Sequence, residues 1–199
     1  MSTEDRSNTT KKSTVYVALI TALAIIIGSV ILGIGGQTPK TVITFKTNLG
    51  EIVIETTPAV APLTVNAIAA LAQKNYFDNT ICHRLTTAGI YVLQCGDPTG
   101  TGTGGPGFNI PDENLPQPTE NNYPAGTVAM ANAGPGTSGS QFFLVYQDTT
   151  LGPDYTIWGS ITSGLDILQT IASAGVVDGG TDGAPLTGVT IESTKVTIS

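Results

Sequence analysis

Arg84, Gln94, Asn132 and Phe143 are the residues of this 199-residue chain whose types and setting suggest joint action on a substrate. Arg84 and Gln94 flank one predicted hairpin and project onto a common outer face. Asn132 and Phe143 belong to a second stretch, Met130–Phe143, which reads MANAGPGTSGSQFF and passes from a small-residue loop into an apolar strand. Its glycines suit a backbone that turns sharply or is closely approached, and its two phenylalanines supply a rigid apolar wall. A cation and amides beside an aromatic wall are suited to binding an extended peptide without covalent chemistry. Arginine and glutamine would take carbonyls, Asn132 backbone groups, and Phe143 a ring. Taken singly, Arg84 also reads as a surface ion-pairing residue, and the loop as a plain connection between core strands.

Other chemistries are poorly served. His83 is the one histidine. It stands beside Arg84 on a predicted strand, so the two point to opposite faces, and no GxSxG surrounds a serine, which argues against a serine hydrolase. Gly100–Gly105 matches GxGxxG, but Pro106-Gly107 falls where a phosphate-binding helix would begin, and no GK[ST] follows. The acids show no pairing at glycosidase spacing. Two cysteines and one histidine cannot furnish a CxxC pair or a histidine-rich metal site, so no metal and no cofactor is expected. A net charge of −7 argues against nucleic acid as a partner.

These residues need a β-rich scaffold. With 24 glycines and 12 prolines the chain is dense in turns. Strands are predicted at Thr41–Thr47, Glu51–Thr56, Ile81–Leu85, Ile90–Cys95, Thr127–Ala131, Gln141–Tyr146, Thr156–Ile161 and Val189–Ile198. Helices are predicted from Pro62 to about Asn75 and over Leu165–Ala174. The sum is a mainly β fold, a closed eight-stranded antiparallel barrel capped by two helices. It occupies residues 41–199 and is preceded by a linker at 35–40.

Val15–Ile34 is an uncharged, almost wholly apolar run of 20 residues. At a rise of about 1.5 Å per residue it spans roughly the 30 Å of a bilayer's hydrocarbon core, longer than a signal peptide's apolar region. It is expected to be a transmembrane helix, an uncleaved single-pass anchor. Arg6, Lys11 and Lys12 then keep a disordered tail, residues 1–14, in the cytoplasm and place the domain outside.

Taken together, these segments resemble the cyclophilin family of peptidyl-prolyl cis–trans isomerases. The carriers are Cys82-His83-Arg84, then Tyr91-Val92-Leu93-Gln94-Cys95-Gly96-Asp97 after a slightly longer loop, and Met130–Phe143, which differs from the family motif at two positions. Gly102–Gly105, Asp112–Asn114, Leu151, Tyr155, Trp158 and Gly159 continue the likeness, which runs from Val42 to Ile198. The resemblance implies that Arg84 is the catalytic arginine, acting with Phe143 and Gln94. It implies that Tyr91, Val92, Phe143 and Leu151 line a proline pocket, and that Gln94, Ala131, Asn132 and Ala133 hold the peptide backbone. Tyr155 stands where the family carries a histidine, Val92 where it carries methionine, and Thr150 at the tryptophan associated with cyclosporin, whose binding is therefore expected to be weak. The partners implied are proline-containing peptides and unfolded or extracytoplasmic proteins. A proline-binding module without turnover, and an envelope scaffold using another surface, remain as alternatives.

The implied reaction is rotation about an X–Pro bond, whose barrier of roughly 20 kcal/mol holds the uncatalysed rate to about 0.01 per second. No bond is made or broken. The twisted state localises a lone pair on the proline nitrogen, and a donor such as Arg84 aimed at that nitrogen or the adjacent carbonyl favours it over either planar state. Lowering the barrier by about 5–6 kcal/mol gives roughly a 10⁴-fold gain. Cys82 and Cys95 flank the same hairpin. An oxidising compartment favours a disulfide, whereas strand parity puts Cys82 on the face of Arg84 and Cys95 on the other unless a bulge intervenes, and both outcomes stay open.

Overall fold

Period-two burial builds the first hairpin. β1 (Thr41–Thr47) buries Thr41, Ile43, Phe45 and Thr47 and turns through Asn48-Leu49 into β2 (Gly50–Thr56), which buries Ile52, Ile54 and Thr56. The computed structural model describes residues 40–199. The expected tail, anchor and linker therefore lie outside the described residues except for Lys40, and among the described residues no helix is long and apolar enough to cross a membrane.

After the hairpin, α1 (Pro62–Ala72) begins with proline at its first turn and has no capping side chain of its own. Its free N–H groups are met from a distant loop. Glu113 Oε1 accepts the Leu63 N–H at 3.1 Å and Oε2 the Thr64 N–H at 2.8 Å, placing negative charge at the positive end of the helix. The helix ends before the expected Asn75, in turns that lead to β3 (Thr80–Ile81). Then come β4 (Arg84–Thr86), β5 (Val92–Cys95), β6 (Thr127–Met130), β7 (Phe142–Val145) and β8 (Ile157–Ser163). α2 spans Leu165–Ala174 as expected, set off by Gly164 and Gly175, both at positive φ. β9 (Asp182–Gly183) and β10 (Thr190–Ile198) follow.

The closed eight-stranded barrel is not what forms. The chain makes one open antiparallel sheet of ten strands in the order β3-β10-β1-β2-β8-β6-β7-β5-β4-β9. The strand expected at Ile81–Leu85 is broken at Cys82-His83, and β9 is a two-residue addition at the far edge. The break explains why the sheet curls without closing. β3 and β4 are two residues apart in sequence yet lie toward opposite ends of the hydrogen-bonding order, so the sheet must bend round to bring them together. Register irregularities at Lys46/Thr47, Val53/Ile54 and Val128/Ala129 add to the bend. At the seam, Cys82 gives its N–H to Val189 instead of pairing across the gap.

Inside the curl, Phe45 stacks on Phe142 at 5.2 Å, while Phe77 meets both rings edge-on and Trp158 meets Phe142 edge-on at 5.9 Å. Val65, Ile68 and Leu71 of α1 and Leu168 and Ile171 of α2 join this core.

Cys82 and Cys95 form a disulfide across the seam. Regular strand parity would turn Cys82 outward with Arg84, but the break resets the phase. Cys82 and Leu85 are buried, with His83 and Arg84 partly exposed between them. The bridge closes a loop over a sequence separation of 13 residues. Replacing both cysteines by alanine is expected to lower unfolding stability by about 3 kcal/mol, the loop-closure value for that length, measured by urea denaturation. An unchanged midpoint under oxidising conditions would count against the bridge.

Candidate active site

Strands β4 and β5 carry the cation. Their register sets Arg84 opposite Gln94, and Arg84 Nη1 donates to Gln94 Oε1 at 3.3 Å. On its other side Arg84 makes a two-point contact with Asp182, Nε to Oδ1 and Nη2 to Oδ2, each at 2.8 Å. These bonds raise the arginine's pKa above its ordinary value against the opposing effect of burial, with Tyr155 adding a smaller upward push. Asp182 is correspondingly lowered by its bonds to Arg84. Gln94 in turn gives its amide to Gln141 Oε1 at 2.9 Å, and Gln141 gives its own to the carbonyls of Gly102 and Gly104. A continuous polar chain therefore runs from Asp182 to the glycine-rich loop.

Beside Arg84 lies a second, smaller apolar cluster. Val92, Tyr123, Ala129, Phe143 and Val145 are buried in it, and Ile90, Ala131, Leu151, Tyr155 and Ile157 pack around them partly exposed. Phe143 is met edge-on by Tyr155 at 5.5 Å and obliquely by Tyr123 at 6.0 Å. The Tyr123 hydroxyl accepts the Tyr155 N–H and lies within bonding distance of the Tyr155 carbonyl, which fixes the segment carrying that ring. Burial pushes the Tyr123 phenol up to about 12, so it stays protonated and able to donate.

A groove of about 730 Å³ adjoins the cluster, lined by Gln94, Gln141, the 102–109 loop and Ala131, Asn132 and Ala133. Its glycine-rich wall is held by one carboxylate. Asp97 is fully buried and accepts five bonds, from the N–H groups of Thr99, Thr101, Gly102 and Gly104 and from the Thr99 hydroxyl. These bonds outweigh burial and hold its pKa far below the usual carboxylate range. The amides of the GxGxxG-like stretch thus face the chain's own anion, in the place a phosphate would need. Gly104 has to be glycine, because a Cβ there would collide with Asp97 Oδ1. His83 lies under the same loop. Burial chiefly, and Arg84 secondarily, lower its pKa, while Asp97 opposes them.

The family model described as cyclophilin type peptidyl-prolyl cis-trans isomerase/CLD matches residues 42–196, nearly the whole of this sheet and its site. The chain belongs to the cyclophilin family. It is 49% identical over 163 residues to a probable peptidyl-prolyl cis-trans isomerase B of Mycobacterium leprae, covering 75% of this chain and 55% of the relative. It is 38% identical over 156 residues to a peptidyl-prolyl cis-trans isomerase-like 1 of Gibberella zeae, covering 77% and 93%. The chain thus spans about half the length of its mycobacterial relatives. Among solved structures, a cyclophilin type isomerase of Cryptosporidium parvum superposes with a TM-score of 0.69 at 28% identity, covering 79% of this chain and 98% of that one. The same protein crystallised in the presence of the dipeptide Ala-Pro gives 0.68 at 29% identity, covering 78% and 98%.

In this cyclophilin the residues singled out from sequence fall into two groups. Val92, Ala131, Phe143, Leu151 and Tyr155 share the apolar cluster, whereas Gln94, Ala131, Asn132 and Ala133 line the groove, with Arg84 bonded to Gln94. The Asn132 side chain is committed to structure, donating to the Asp154 carbonyl and accepting the Gly134 N–H. Tyr91 is not brought to the cluster. It packs against the main core, edge-on to Tyr146 at 6.0 Å, and Ile90 takes the position beside Val92. Alternation along β5 carries the signal that favours Ile90, since residues two apart share a face. Gln141 lay inside a recognised motif without a role of its own. Asp182 had no local signal.

Replacing Asp97 by asparagine removes the charge from five bonds and is expected to lower the melting temperature at pH 7. Because the folded pKa lies below the unfolded value near 3.9, the wild-type advantage is present above about pH 4 and shrinks as pH falls further. Melting curves of both proteins from pH 7 to pH 3 check this. A difference that widens on acidification would contradict it.

Proposed function

We propose that this chain is a peptidyl-prolyl cis–trans isomerase that accelerates rotation about X–Pro bonds without covalent intermediates. The observation that carries the reading is the setting of Arg84. Of its five N–H donors three are engaged, two by Asp182 and one by Gln94, so two remain, and the register sets Gln94 between Arg84 and Phe143. Phe143, Val92 and Leu151 hold the proline ring away from water. Gln94 and the backbone of Ala131, Asn132 and Ala133 fix one side of the peptide in the groove, and the other side rotates. The free guanidinium donors then favour the twisted imide, whose nitrogen accepts a hydrogen bond better than in either planar state.

The substrates in this reading are proline-containing peptides and unfolded proteins outside the cytoplasm. The apolar run Val15–Ile34 supports a single-pass anchor in the cell membrane, with the isomerase on the outer side. Thr150 replaces the tryptophan expected for cyclosporin, so affinity for that ligand is low.

The test is cis–trans exchange of a short X-Pro peptide, followed by NMR, with the full chain and with Arg84→Ala. The wild type should accelerate exchange, and the variant should lose on the order of 10²-fold or more of that acceleration, as when a transition-state donor is removed elsewhere. Cyclosporin titrated into the same sample should inhibit weakly. Peptide binding without acceleration by the wild type would replace the enzyme by a binding module.

A further inference from the structure

We propose that Asp182 is a positioning residue for isomerisation, holding the Arg84 guanidinium in the plane that presents its two remaining donors to the substrate. The inference rests on the role of Arg84 given above. A guanidinium on a flexible stem has several rotamers, and a carboxylate matched to its Nε–Nη2 edge at two points selects one of them. With Nε and Nη2 fixed at 2.8 Å and Nη1 turned to Gln94, the plane of the group is set from two sides.

The backbone shows how this brace is delivered. β9 pairs with β4 so that Asp182 stands opposite Thr86 and Gly183 opposite Leu85. Thr86 and Arg84 are two apart and share a face, which makes Asp182 the diagonal neighbour of Arg84 across the ladder. The Thr87 N–H bonded to the Thr181 carbonyl at 2.8 Å and the Val177 N–H bonded to the Ala184 carbonyl at 2.8 Å pin the segment on both sides. The whole two-residue strand serves to carry one carboxylate to the arginine.

Stability alone is a poor reason for the contact. The side chains are 39% and 53% exposed, so even a two-point arginine–carboxylate pair contributes modestly to folding. Two other ion pairs, Lys40–Glu55 and Lys46–Glu192, use lysine and lie on the paired strands β1, β2 and β10 or beside them. The Arg84 pair, unlike these two, adjoins the groove, through Gln94. Misplacement of a catalytic group by about 1 Å can cost on the order of 10²-fold in rate, so a brace of this kind acts on turnover and leaves peptide affinity nearly alone.

The experiment measures kcat and KM by NMR exchange for the full-length wild type, Asp182→Asn, Arg84→Ala and the double variant, with melting curves for each. Asp182→Asn keeps the size but loses the charge and one acceptor edge. It should lower kcat by about tenfold with KM within about twofold, as expected for a group acting through geometry. The Arg84 Nε–H should exchange faster with solvent. In the Arg84→Ala background the second substitution should add nothing, since the brace then has no arginine to hold. Unchanged or raised turnover in Asp182→Asn overturns the proposal, as does an equal loss in both backgrounds. If Arg84→Ala itself keeps wild-type turnover, the reading of Arg84 fails first.

Discussion

The two-residue alternation of β5, β6 and β7 is the constraint on which the site depends. Phe142 and Leu144 point into the main core, and Phe143 and Val145 into the smaller cluster. On β6 Val128 and Met130 take the first face and Ala129 the second. On β5 Leu93 and Val92 divide in the same way. The sheet is therefore apolar on both sides at this place. Stability is supplied from within, where Phe142 lies between Phe45, Phe77 and Trp158, and the outer face is left to the proposed proline pocket. A slip of one residue in register would exchange the two faces, and the aromatic packing around Phe142 prevents it.

The outer face is completed by loops, which have no ladder to fix them. Buried or paired charges do that instead. Asp97 gathers four backbone amides between Thr99 and Gly104 and so shapes the wall of the groove, and Glu113 ties the 110–115 segment to the start of α1. Gln141 joins the Asp97 loop to Gln94, and Gln94 joins it to Arg84. Glycine-rich loops of this length would ordinarily be mobile. Here the loop is held locally by Asp97 and from a distance by Gln141, and the 110–115 segment by its bonds to α1.

How much of this was legible followed from how local the cause was. α2 was bounded correctly because Gly164 and Gly175 mark both of its ends, and β1 because its alternation is regular. The strand over Ile81–Leu85 was misread because its break depends on Val189 and on the disulfide, neither of which leaves a trace in five residues. The closed barrel failed for the same reason. Arg84, Gln94 and Phe143 were singled out through motifs, and their proximity follows from β5 pairing with both β4 and β7. Tyr91 was placed by likeness where parity favours Ile90. Asp182, 98 residues from Arg84 within a run of glycines, could be found only in three dimensions.

The position of β10 has a consequence for how the domain is made. It lies between β3 and β1, both synthesised long before it, and its far end is tied to Lys40 by paired backbone bonds with Ser199. During translation β1 therefore carries an open edge until β10 emerges, and the sheet cannot be completed from its amino-terminal side onward. Such an arrangement folds late and as a unit, with long-range pairing as the slow event. The nascent chain must keep that edge from pairing with neighbouring chains, a burden that falls on the exposed, charged Lys46.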